Sequence, residues 1–128
     1  MASKFSRFNK TRIFEVDIDL FREGTYKMED VYKETGEREL EVVGIWRHEY
    51  TEDVLTANPG LPDHNYTLGV KITDDDFIFM FAPATMTAEF DEIMADPSLI
   101  KEIKAGRCAI RLYKFKSRKG DGYAFNFC

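Results

Sequence analysis

Side chains able to move protons, hold ions or grip a flat ring are spread unevenly along this chain. Glu15, Asp17 and Asp19 alternate within one stretch, and Asp74, Asp75 and Asp76 follow one another directly. Hard cations prefer such oxygen ligands. Alternating acids are equally what a solvated strand face carries, and the Asp74–Asp76 run lacks the spaced ligands and the glycine of a calcium loop, so no metal site is expected. His48 and His64 are the only histidines, and Cys108 and Cys128 the only cysteines, with no metal-ligand spacing among them. Two free thiols follow. No nucleophile elbow, phosphate loop or zinc-binding helix motif is present, so neither catalysis nor a cofactor is expected.

The strongest chemical pattern is at the end, in "CAIRLYKFKSRKGDGYAFNFC". Cys108, Ile110 and Leu112 suit a core, whereas Arg111, Tyr113 and Phe115 fall on the opposite face of the same strand. The turn adds Lys116, Arg118 and Lys119 after Lys114, and the return strand sets Tyr123, Phe125 and Phe127 on one face. Cations that track phosphates and rings on which bases stack are what binding to a single nucleic-acid strand requires. Trp46, followed by Arg47 and close to Gly44, is a further candidate ring. The N-terminal "KFSRFNKTR" spaces Phe5 and Phe8 among four cations and reads as a flexible basic-aromatic arm over residues 1–11.

The elements that must position these groups are mostly strands. "RIFEVDIDL" alternates as a half-buried strand, and "TYKMEDVYKETGERELEVVGIWRHEY" reads as two strands about Glu34-Thr35-Gly36-Glu37. Gly44 marks a bulge or bend in the second of them. Residues 51–64 form the principal loop, since they hold Asn58-Pro59-Gly60 and Pro62-Asp63. A second hairpin turns at Thr73-Asp74-Asp75-Asp76, with Leu68, Val70 and Ile72 on one face and Phe77, Phe79 and Phe81 on a face of the partner strand. From residue 85 to 105 the apolar period becomes helical, and Asp96-Pro97 starts a second short helix that Gly106 can end.

Strands at 38–50, 65–72, 77–82, 107–116 and 121–127, with helix between the third and fourth, make a mainly β chain. They follow the order of a partly open oligonucleotide-binding barrel with an N-terminal β extension. In that order, and in "LYKFKSRKGDGYAFNF", the chain resembles the small single-stranded-DNA-binding proteins of bacteriophages. The resemblance implies single-stranded DNA, or RNA, as partner and a site built from Trp46, Arg111, Tyr113, Lys114, Phe115, Lys116, Arg118, Lys119, Tyr123 and Phe125. It covers about two-thirds of the chain, and it departs in one respect: bacterial proteins of this kind end in a flexible acidic tail, which is not expected here.

Length and composition bound the rest. The 128 residues fit one domain, and 44% hydrophobic with 32% charged residues are near globular averages. Eleven Phe and six Tyr exceed what a modest core requires. No apolar run reaches a membrane span and the N-terminus lacks a secretory signal, so a cytosolic protein is expected, in the host cytoplasm if phage-encoded. Monomer and homodimer are both open. Residues 1–12 carry +4 and residues 101–128 carry +6, which in a chain of net charge −5 leaves −15 for residues 13–100. Such asymmetry implies an anionic partner or pairing between the opposed regions. It also supports an alternative function: an interaction protein or inhibitor that mimics DNA, or blocks a host defence or host enzyme, through its acidic middle.

Overall fold

The structure, a computed structural model, describes residues 4–9, 25–118 and 120–128, apart from the side chains of residues 84 and 117. Six strands form one mixed sheet: β1 (Thr25–Tyr26), β2 (Glu39–Glu49), β3 (His64–Thr73), β4 (Asp76–Phe81), β5 (Ala109–Ser117) and β6 (Gly120–Phe127). Their order is β1-β4-β3-β2-β5-β6. β2 is the hinge of this arrangement. Its first residues, Glu39–Glu41, pair with β5, while Val42 to Glu49 pair with β3, and the register slips between Val42 and Gly44. An extra residue in one strand bends it and increases its twist. β2 can therefore serve two neighbours that diverge, and the sheet curls into a half-barrel.

From β2 onward the five strands, with helices α3 (Thr87–Ala95) and α4 (Pro97–Lys104) between β4 and β5, are consistent with an open barrel of the oligonucleotide-binding type. Asp96 caps α4 through the Ser98 N–H at 3.0 Å, Pro97 fills its first turn, and Gly106 follows its end at φ 76°. Both helices lie on the inner face of the sheet. There Phe90, Ile93, Leu99 and Ile103 join Leu40, Val42, Ile45, Leu68, Val70, Met80, Ile110 and Leu112 in one core. Rings run through this core in sequence: Tyr66 to Phe90 at 5.6 Å, Phe90 to Phe125 at 6.2 Å, Phe125 to Phe127 at 5.5 Å, and Phe127 to Phe5 at 5.4 Å. Burial of each such side chain stabilises by about 1.5–3 kcal/mol, so much of the aromatic excess is structural.

Two segments differ from the sequence reading. The first strand of the hairpin expected about Glu34–Glu37 is strand only at Thr25–Tyr26 and is otherwise helix α1 (Met28–Thr35), ended by Gly36 at φ 67°, while its second strand is β2. Glu29 and Asp30 sit in the first turn of α1, Lys33 in its last, and Lys33 pairs with Glu29 at 3.3 Å. α1 touches β4 on one side and β5 and β6 on the other, so it spans the open side of the half-barrel. Residues 51–64 are likewise not wholly loop. Helix α2 (Glu52–Ala57) starts there, with the Val54 N–H donating to Thr51 Oγ1 at 3.4 Å.

Phe5 and Phe8, expected on a flexible arm, are buried. Asn9 explains the docking: its Nδ2 donates to the Phe127 carbonyl at 3.0 Å and its Oδ1 accepts from the Phe127 N–H, as a paired strand would. Lys4 reaches Glu102 at 3.1 Å and Arg7 reaches Asp96 at 3.8 Å. Part of the charge asymmetry is therefore settled within the molecule. The strand expected over residues 12–20, with Glu15, Asp17 and Asp19, lies outside the described residues, as does the rest of the arm.

Candidate nucleic-acid interface

The antiparallel register decides what the terminal hairpin can offer. Ile110 faces Phe127, Leu112 faces Phe125 and Lys114 faces Tyr123, so these six share the inner face. Phe125 is 1% exposed and is core, which removes it from the candidate binding residues. Tyr123 is half-buried against Tyr32 of α1 at 5.4 Å. On the outer face, Arg111 is solvent-exposed between Glu39 and Asn126 on the flanking strands, followed by half-buried Tyr113 and Phe115 at 6.4 Å from one another. The Phe115 ring lies on the backbone of Gly122, where a Cβ would collide with it.

Strand alternation places Lys114 and Lys116 on the side opposite Tyr113 and Phe115. Lys114 is also held by Asp121 at 3.1 Å, and that hydrogen bond raises its pKa above the ordinary value. Lys116 is exposed opposite Asp121, and Arg118 is exposed in the turn. Lys119 lies outside the described residues. The hairpin thus brings together one arginine and two rings rather than a mixed face of rings and lysines.

A larger aromatic surface lies elsewhere on the same outer face. Phe79 pairs across to Gly69, and Gly69 to Gly44; Phe77 pairs with Lys71, and Trp46 with Thr67. Leu68, Val70 and Met80 point inward, so Phe77 and Phe79 point out. Trp46 is 45% exposed, Phe77 47% and Phe79 39%. Trp46 and Phe79 meet edge to face at 5.2 Å, as do Phe77 and Phe79 at 5.6 Å. Beyond them His48 lies 5.8 Å from Tyr50 and 6.4 Å from Phe81.

Two glycines make this surface possible by lacking a side chain rather than by unusual dihedrals, since neither Gly44 nor Gly69 has positive φ. A Cβ on Gly44 would lie 2.6 Å from Trp46 Cη2, and one on Gly69 would lie 2.8 Å from Trp46 Cζ3. The indole thus rests across two neighbouring strand backbones. Of the residues expected to bind, Trp46 is the best presented. Phe77 and Phe79 were not among the residues expected to bind, although their shared face was evident, because Ile78 and Met80 make the opposite face equally apolar.

Charges around the platform are mixed. Lys71 lies beside Phe77 and meets Glu41 at 3.7 Å. Asp74, Asp75 and Asp76 are exposed at the end of the same hairpin. At the start of β3, His64 bridges two carboxylates, with Nδ1 2.6 Å from Asp63 and Nε2 2.7 Å from Asp91. The Tyr66 hydroxyl donates to the same Asp91 oxygen at 2.5 Å. Hydrogen bonding to Asp63, with Asp91 in support, raises His64 above its ordinary pKa against the effect of burial. Burial alone would raise Asp91, but the bonds from Tyr66 and His64 outweigh it and lower its pKa. Burial, then Asp91, pushes Tyr66 up to about 12. This network pins the exit of the 51–63 segment to α3.

Among the described residues no cluster of His, Cys, Asp or Glu is arranged to hold a metal ion, and no helix is long and apolar enough to cross a membrane. Cys108 and Cys128 are free thiols, and burial pushes Cys108 up to about 12. Compared with protein-family models, curated proteins and solved structures, the chain matches none.

Proposed function

We propose that this chain binds single-stranded nucleic acid, DNA in the first instance, across the outer face of β2, β3 and β4. The observation that carries the reading is the contiguous set of exposed rings Trp46, Phe79 and Phe77 on a glycine floor. Rings at this exposure offer faces on which bases stack, a contact worth about 1–3 kcal/mol per base. β3 and β4 correspond to the second and third strands of the barrel, the face on which such barrels take oligonucleotides. Arg111 and Arg118 of the hairpin then extend a phosphate path rather than form the main site. The reading needs neither a cofactor nor a bond-making step.

Trp46 is the chain's single tryptophan, so its fluorescence reports directly on the platform. Titration with a thymidine oligonucleotide should quench it saturably, with duplex DNA of equal length at least about tenfold weaker. Phe77→Ala should lower affinity by about 1–3 kcal/mol. Unchanged fluorescence and no retardation of labelled oligonucleotide would refute the reading.

One observation favours a second reading, docking on a basic protein: the exposed Asp74, Asp75 and Asp76 adjoin Phe77. Replacing all three by Asn separates the two. Oligonucleotide affinity should rise if the platform faces phosphates, whereas capture of a basic partner should be lost if it faces protein.

A further inference from the structure

The platform rings are not coplanar, and their angles carry information about the ligand. Trp46 and Phe79 are inclined at 77°, and Phe77 and Phe79 at 86°. Phe79 therefore meets two rings, each nearly perpendicular to it. The indole rests on the Gly44–Gly69 floor, and Phe77 is two residues from Phe79 along the same strand. Each junction is a corner, one wall of which is the Phe79 ring. A flat base fills such a corner by stacking on Trp46 or on Phe77 while its edge meets Phe79. Two bases so placed cannot stack on each other.

We propose that Phe79 is a wedge that parts two consecutive bases of the bound strand, one seated on Trp46 and the next on Phe77. This rests on the single-strand reading above. A cation lies beside the corners: Lys71 shares a cross-strand row with Phe77, and its ammonium, 3.7 Å from Glu41, is partly exposed and within reach of a phosphate that passes Phe77, on the side of the ring away from Asp74 and Asp75 in the turn. The glycine floor under the indole and the two edge-to-face contacts favour these angles before the ligand arrives, so part of the parting is prepared in the fold. The bound strand must give up one base–base stack, and a strand that stacks weakly gives up least. The wedge thus acts as a specificity determinant, favouring thymine runs over adenine runs.

The test compares a thymidine and an adenosine oligonucleotide of equal length with the intact protein. Wild type should bind the thymidine strand about five- to tenfold more tightly, and the circular-dichroism signal of stacked adenines should fall on binding. Phe79→Leu, which keeps an apolar side chain at a partly exposed position, should weaken both complexes, bring their affinities within about twofold, and leave the adenine signal intact in the complex. Phe79→Tyr should restore both the preference and the signal loss. An unchanged preference in Phe79→Leu, or adenine binding by wild type with no loss of stacking, overturns the wedge while leaving single-strand binding in place. Failure of wild type to bind either strand removes the single-strand reading itself and the wedge with it.

Discussion

Replacing Gly69 by alanine adds one methyl group at a point that the Trp46 ring already occupies. The new Cβ would lie 2.8 Å from Cζ3 and 3.0 Å from Cη2 of the indole, and 3.0 Å from Val43 Cγ2. Carbon atoms do not approach so closely, and the side chain of the exposed indole can move whereas the paired backbone cannot. The ring should lift. With Trp46 45% exposed, roughly 100 Å² of the indole rests on the floor, worth at most about 2.5 kcal/mol at ~25 cal/mol per Å². Alanine in a strand returns about 0.5–1 kcal/mol relative to glycine. The net loss should be about 1–2 kcal/mol, read by urea denaturation, together with a red-shifted tryptophan emission. Gly44→Ala should do the same, because its Cβ would meet the same ring at 2.6 Å. Since either substitution displaces the one indole, the double variant should cost little more than the worse single one. Strictly additive costs, or an unshifted emission spectrum, would refute the glycine-floor argument.

The hairpin makes a second test. Phe125→Ala should destabilise by about 3–5 kcal/mol because the ring is core, whereas Tyr113→Ala, on the outer face, should cost far less, as thermal and chemical denaturation would show. Stability should also depend on pH through His64 and Asp91. The folded pKa of His64 is raised above 6.5, so its contribution is complete below about pH 6.5 and is lost as pH rises through the folded value. Asp91 is held below 3.8, so its contribution is present above about pH 3.8 and is lost as pH falls through the folded value. His64→Gln should therefore flatten the decline above neutrality and leave most of the acid limb in place, in denaturation midpoints measured across pH. For oligonucleotide binding, contacts from Lys71, Arg111 and Arg118 should give a slope of log affinity against log salt near −2, at ~0.7 per phosphate on a single strand. A slope near zero would point to the protein-partner reading.

Much of the architecture is set by local chemistry. The turn at Thr73–Asp76, the change to helical period after residue 85, the Asp96-Pro97 start of α4 and the closing β5–β6 hairpin are each written in a few neighbouring residues, and the structure contains all four. Gly44 likewise marks where β2 bends. α1 was not legible because Tyr26, Met28 and Tyr32 also fit an alternating strand, and its helical form is fixed by distant partners such as Tyr123.

The candidate faces divide along the same line. Alternation in the sequence determines that Phe77, Phe79 and Phe81 share one side of β4, and that Tyr123, Phe125 and Phe127 share one side of β6. It does not determine which side is inside. In β4 both alternatives are apolar, and only pairing with Leu68 and Val70 turns Met80 inward and the phenylalanines out. In β6 the opposite register, Leu112 against Phe125 and Ile110 against Phe127, turns the rings in. Tertiary structure therefore exchanged the roles of two sets of similar rings, because a strand's period of two is a local property while its inward side is chosen by the volume that the whole sheet must fill.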